Sequence, residues 1–170
     1  MTARNTRVET QLGELTLTAE DAYLTGVYFE GHWYPPTGEA MGSFVNTVDD
    51  ELLALAAGEL RDYIAGLRTS FTVPTRTRGD AFSESVWSRL CEIPYGSTTT
   101  YGTLAKELGD VALAQRVGQA VGHNPLSIVI PCHRVVGANG ALTGYAGGLS
   151  RKAFLLDLEA PADVVANRLF

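Results

Sequence analysis

The constraint that most narrows the fold is a change of period along the chain. Residues 8–31, VETQLGELTLTAEDAYLTGVYFEG, alternate apolar and polar side chains, with turn signals at Gly13–Glu14 and Glu20–Asp21. A period of two is a strand signal, so this stretch predicts a three-stranded meander. From Asp80 the period becomes helical. In DAFSESVWSRLCEI, Phe82, Val86, Trp87 and Leu90 share one face, Asp80 or Ser83 can cap the start, and Pro94 and Gly96 end the helix. A chain of 170 residues can hold one sizeable domain or two small ones.

The stretches between and beyond fill in an α+β organisation. HWYPPTGEAMG reads as a loop, because paired prolines break helix and ladder alike. From about Val48 to Leu67 the apolar residues Leu52, Leu55, Ala56, Leu60, Tyr63 and Ile64 recur at helical spacing, closed by Gly66. SFTVP predicts a short strand, and TRTRGD a linker, which places a boundary between domains 1–78 and 79–170. STTTYGTLAKELG and DVALAQRVGQAVGHNP predict two helices with a short turn between them, the second stopped by Pro125, in the manner of a helix-turn-helix. LSIVIPCHRVVG reads as a buried strand that meets a proline, ANGALTGYAGGLS as a glycine-rich loop, and RKAFLLDLEA as a last helix.

Charge is uneven. The net −6 argues against a generic nucleic-acid binder, yet residues 1–80 carry twelve acidic and six basic residues, and residues 81–170 carry seven of each. The second half is therefore free to present a local basic face. The N-terminal MTARNTRVETQLGE has no apolar core, no run approaches the length of a membrane span, and there are only two cysteines, Cys91 and Cys132. These features predict no signal peptide, no membrane partner and a reducing, cytoplasmic setting. Two cysteines and three scattered histidines form no CxxC or HExxH pattern, so no metal is expected.

The chemistry concentrates in Pro131-Cys132-His133-Arg134. Burying a thiol, an imidazole and a guanidinium side by side is costly unless each has a partner. Cys132 reads either as a small core hydrophobe or as a nucleophile. For the second role its thiol needs a base, which an adjacent imidazole supplies directly or through one water. That base needs an orienting acceptor. Glu159 is the candidate, against the alternative of a solvated carboxylate at a helix end. Tyr145 within GYAGG reads as a pocket wall or as part of a surface loop. Cys91 reads as a structural, inert thiol on an amphipathic helix.

Taken together, IPCHRVVG, GHNP upstream and TGYAGG downstream resemble the O6-alkylguanine-DNA alkyltransferases, the self-methylating repair proteins. FSESVW and IPYGSTTTYGTLA extend the match from Phe82 to Glu159, and LGELTLTAEDAYLTGVYF and YIAGLRTSF continue it more weakly. The resemblance implies a ribonuclease H-like first domain, a small sheet with a helix. It implies a second domain that is helical and winged-helix-like, with the helix-turn-helix and the acceptor cysteine. It also implies methylated-DNA–protein-cysteine S-methyltransferase activity, a single turnover per molecule, no cofactor, and a monomer acting on double-stranded DNA. The lesion would be O6-alkylguanine, with O4-alkylthymine as a second class.

By the same resemblance Cys132 takes the alkyl group, His133 takes its proton through a water, and Glu159 orients the imidazole. Tyr101 donates to the base and helps turn the target phosphate. Asn124 ties the recognition helix to the cysteine loop. The carbonyls of Cys132 and Val135 accept from the guanine amino group, the N–H of Ala146 faces O6, and Tyr145 and Val121 line the base pocket. Thr100 and the helix Ala112–His123 meet DNA, where the small residues Ala112, Ala114, Gly118, Ala120 and Gly122 suit a minor groove. The chain departs from the family at one point. The usual Ala-Arg-x-Val-Gly is here Ala114-Gln115-Arg116-Val117-Gly118, so the finger position holds Gln115 and the arginine is displaced by about 100° around the helix. The expectation drawn from this pattern is that Arg116→Ala weakens DNA binding and repair more than Gln115→Ala. The zinc-containing animal members hold ligands in the first domain, where this chain has only His32, so no zinc is expected. The alkyltransferase-like lesion binders lack the cysteine that this chain has.

Overall fold

Strands β1 (Ala3–Thr10), β2 (Gly13–Glu20) and β3 (Tyr23–Phe29) form the meander, antiparallel throughout, with Val8 opposite Leu15 and Leu17 opposite Val27. The computed structural model describes residues 2–161. Alternation puts Leu15, Leu17 and Ala19 of β2 on the buried face, as expected for a sheet with one covered side. The proline-rich loop is less plain than its sequence. It contains a single helical turn, α1 (Gly38–Met41), and a two-residue strand, β4 (Ser43–Phe44), parallel to β1, so the sheet order is β3-β2-β1-β4.

Helix α2 (Glu51–Ile64) covers the sheet's apolar face with Leu53, Ala56, Leu60 and Tyr63, all buried. Asp50 caps it, accepting from Leu53 N at 3.0 Å, and also binds Arg4 of β1, which holds its carboxyl below the ordinary range. The helix ends as predicted at Gly66, whose φ of +80° permits the Schellman closure. Leu67 N donates to Asp62 O at 2.8 Å and Gly66 N to Tyr63 O at 3.0 Å.

SFTVP is not a strand. The carboxylate of buried Glu59, on α2, accepts from Thr72 N and Val73 N, both at 2.9 Å, and from the Thr72 hydroxyl, and it also pairs with Arg68. A side chain has taken the donors a ladder needs. Pairing resumes only at Thr75, bridged to Leu24.

Residues 1–78 form one contact unit together with 125–129, and 79–124 with 130–170 form the other. The expected second domain, 79–170, is therefore interrupted by a short return to the first. In that return Leu126 bridges Val27, and Val27 N donates to Pro125 O at 2.8 Å. The strand expected over LSIVI goes no further. Ile128 has φ +71°, a conformation β-branched residues rarely adopt, and Val129 N bonds Ser127 O at 2.8 Å across a γ-turn.

In the second unit, α3 (Ala81–Cys91) is capped by Asp80, not Ser83. Asp80 accepts from Ser83 N at 2.7 Å, and Glu84 reaches back to Gly79 N at 2.7 Å. Strand β5 (Thr99–Thr100) leads into α4 (Tyr101–Glu107). A 3₁₀ turn at Val111–Leu113 precedes α5 (Ala114–Gly122). Trp87 Nε1 donates to Ala120 O at 2.8 Å and ties α3 to α5. Strand β6 (Val135–Val136) pairs in parallel with β5, and α6 (Leu149–Glu159) closes the unit with Leu155 in its core. No helix of the described residues is long and apolar enough to cross a membrane.

Candidate active site around Cys132

Two turns set the cysteine. Pro131, at φ −80° and ψ 64°, makes an inverse γ-turn closed by Cys132 N donating to Ile130 O at 2.7 Å. Cys132–Arg134 then form one 3₁₀ turn that runs into β6. Asn124, buried just beyond α5, donates from Nδ2 to the same Ile130 carbonyl at 2.9 Å. The end of the second helix of the helix-turn-helix is thus tied to the residue two before the thiol.

Cys132 is 4% exposed. Burial pushes its thiol upward, while the Asn124 amide, the Lys152 ammonium and the Tyr145 hydroxyl pull the other way. His133 is fully buried, and its Nε2 lies 2.7 Å from Glu159 Oε2. Its Nδ1 has no hydrogen-bond partner among the described residues. Burial lowers the imidazole against the upward pull of Glu159, which favours a neutral ring able to accept a proton. Glu159 is not a solvated helix end: it is buried and holds two partners at once.

The second partner is Arg134, for which the sequence offered no role. Its Nε donates to Glu159 Oε1 at 2.7 Å, Nη2 to Oε2 at 3.3 Å, and Nη1 to Ile93 O at 2.7 Å. The guanidinium thus fixes the carboxylate that orients His133 and fastens the turn after α3 to the same point. Gly96 in that turn has φ +82°, and a Cβ there would lie 3.0 Å from Glu159 O. The close approach of this loop to the end of α6 requires glycine.

The β5–β6 pairing brings Tyr101 to this site. Thr100 stands opposite Val136 in the ladder and caps α4, its hydroxyl accepting from Thr103 N at 3.1 Å. The Tyr101 ring then lies over Gly118 of α5, where a Cβ would sit 3.8 Å away. Its hydroxyl is raised by burial and bonded to Thr143. Tyr145 and Ala146 are buried beside the cysteine rather than on an exposed loop. Val121 is buried on α5. The carbonyls of Cys132 and Val135 each already accept one hydrogen bond, from Val135 N and from Lys152 Nζ. A carbonyl has two lone pairs, so one remains on each.

On α5, Gln115 is exposed, and Ala114 and Gly118 are half-buried. Ala120 is buried, against expectation, because the Trp87 indole bonds its carbonyl. Arg116 is held within the unit: its guanidinium lies 4.0 Å from the centre of the Phe82 ring of α3. Arg116 is two residues before Gly118, about 200° around the helix, whereas Gln115 lies about 60° from it. Cys91 is also corrected. It is exposed at the last residue of α3, although partial burial of its sulfur keeps the thiol high and unreactive.

One charged residue of the site was not legible as such. Lys152 follows the spacing of Leu155 and Glu159 on the buried stripe of α6, and it is as buried as they are. A lysine on an apolar face was the available signal.

Comparison with known proteins agrees with this geometry. Residues 81–161 match the model of the 6-O-methylguanine DNA methyltransferase DNA-binding domain, and residues 4–77 that of the ribonuclease-like domain of the same proteins. The methylated-DNA–protein-cysteine methyltransferase of Mycobacterium tuberculosis is 41% identical over 160 residues, covering 92% of this chain and 94% of its own. The inducible one of Bacillus subtilis is 48% identical over 114 residues, 67% of this chain and 64% of its own. The crystal structure of the M. tuberculosis OGT in complex with DNA superposes with a TM-score of 0.81 at 37% identity, over 95% of this chain and 97% of that one. The chain belongs to the 6-O-methylguanine DNA methyltransferases, DNA-binding methyltransferases of DNA repair.

Proposed function

We propose that this protein repairs O6-alkylguanine in duplex DNA by moving the alkyl group irreversibly to Cys132, once per molecule. The observation that carries this reading is the His133–Glu159 pair beside a buried thiol, with Nδ1 of His133 left open to accept a proton. His133 takes the Cys132 proton through one water. The thiolate attacks the alkyl carbon in line, the S–C bond forms as the C–O6 bond breaks, and the electron pair stays on guanine. Tyr101 supplies a proton as that charge develops, and Ala146 N–H faces O6. The base leaves the stack to reach a site this enclosed, at a cost of a few kcal/mol that is smaller for a damaged base. Val121, Tyr145 and the free lone pairs of the Cys132 and Val135 carbonyls line its pocket. A relative crystallised with DNA supports the duplex as partner.

The test is intact mass after mixing with an O6-methylguanine duplex. The gain of one methyl group, mapped to the peptide of Cys132, is expected; tight lesion binding with no gain would make the protein a lesion sensor instead.

Thr100, Ala114, Gln115 and Gly118 form the DNA face in this reading. The stacking of Arg116 on Phe82 reverses the expectation drawn from the sequence. Gln115 stands in for the displaced base, and Arg116 contributes a phosphate contact at most. Gln115→Ala is expected to slow repair of duplex substrate about tenfold, and Arg116→Ala only a few-fold, reflecting the loss of a cation–π stack of about 0.5–1 kcal/mol. A larger defect for Arg116→Ala in the same duplex assay would return the finger role to the arginine.

A further inference from the structure

We propose that Lys152 is a positioning residue of the transfer, its ammonium serving as counter-charge to the Cys132 thiolate while fixing the Val135 carbonyl against the loop at Thr143. This rests on the reading of Cys132 as the acceptor. Lys152 is completely buried, and its Nζ donates to Val135 O at 2.6 Å and Thr143 O at 2.9 Å. Two carbonyls satisfy the ammonium's hydrogens without neutralising its charge. Among the described residues no carboxylate pairs with it. Glu159, two turns along the same face, is committed to Arg134 and His133.

The charges of the site therefore do not cancel. Arg134 and Glu159 offset one another, and Lys152 leaves one positive charge in a dry interior. A lone buried charge is expensive unless an opposite one is near. The groups facing this region are His133 and Arg134 on the cysteine's own turn, Tyr101 from α4, Tyr145 from the glycine loop, and Glu159 from α6. Of these only the Cys132 thiol, electrostatically coupled to Lys152, can supply a free negative charge. Burial depresses Lys152 to about 8, so the ammonium is still charged at neutral pH, where the thiolate is needed. The same ammonium holds Val135 O and Thr143 O together. Val135 is a wall of the base pocket, and Thr143 bonds Tyr101. Lys152 thus acts through two groups that touch the base and one that attacks the alkyl carbon, and itself touches neither.

The experiment uses Cys91→Ser as parent, so that Cys132 is the one thiol. Thiolate formation is followed by its ultraviolet absorbance against pH, and methyl transfer from an O6-methylguanine duplex over the same range. Lys152→Met is expected to move the thiolate midpoint at least one unit to alkaline pH, and so slow transfer at neutral pH by about tenfold. The rate should recover as pH rises, and Lys152→Arg should keep most of both. An unmoved midpoint, with transfer lowered by one factor at every pH, would reduce Lys152 to a structural role and overturn the proposal. A second measurement does not depend on the folding of a lysine variant. The chain has two lysines, Lys106 and Lys152, so carbon-labelled lysine reads the ammonium directly by NMR. Lys152 should titrate lower in Cys132→Ala than in the parent, and an unchanged value rejects the charge pair. If the parent takes no methyl group while both titrations behave as expected, the acceptor reading fails and the charge pair stands.

Discussion

Cys132→Ala and Cys132→Ser are expected to lower methyl transfer from an O6-methylguanine duplex by about 10³-fold or more, with duplex binding and melting temperature near those of the wild type. A serine hydroxyl keeps the shape of the site but ionises far above neutral pH. His133 and Glu159 then have a proton relay with no competent nucleophile at its end. The side chain removed is small, so little packing is lost, and the proposed DNA face on α5 and Thr100 is untouched. Cys91→Ser should retain both transfer and binding, because its thiol is exposed at a helix end and raised by its surroundings. Time-resolved intact mass with a gel-shift measurement on the same samples checks all three variants. Loss of transfer in a folded Cys91→Ser would overturn the assignment.

Arg134→Met should be the most destabilising single change in the second unit. The guanidinium is 7% exposed and makes three printed hydrogen bonds, two to Glu159 and one to the Ile93 carbonyl. Removing it leaves the Glu159 carboxylate buried with only a neutral imidazole beside it, and a carbonyl short of a donor. Breaking a buried pair from one side costs about 3–5 kcal/mol. In a chain of this size that is a fall of about 10 °C in melting temperature. The double variant Arg134→Met/Glu159→Leu should recover much of the stability, since the orphaned charge is gone. Transfer should stay impaired, since His133 has lost its orienting acceptor. A melting temperature unchanged in the single variant would show that the pair does not carry the fold of the cysteine turn.

The parts of the fold that were legible from the residues are those set by local pattern. The meander follows from alternation, α2 from its apolar spacing and Gly66, and α3 from Asp80 and the Phe82–Leu90 face. The misreadings have one physical origin, which is competition for backbone donors. SFTVP has strand composition, but the Glu59 carboxylate takes the amides of Thr72 and Val73. LSIVI has the composition of a core strand, but one bridge at Leu126 and a γ-turn at Ile128 use its backbone instead. β4, β5 and β6 are two residues long, too short for any periodicity to announce them.

The same division runs through the site. Residue types and their order in IPCHRVVG, with GHNP and TGYAGG, determined by themselves the kind of chemistry and which cysteine bears it, because a nucleophile, its base and their turn are local. What only the tertiary structure decided is charge and direction. It put Glu159 between His133 and Arg134, turned Arg116 onto Phe82 and away from the face of Gln115, and buried Lys152 beside the thiol. Each of these depends on which helix faces come together across tens of residues, and burial, which sets the energy of every one of those charges, exists only once they have.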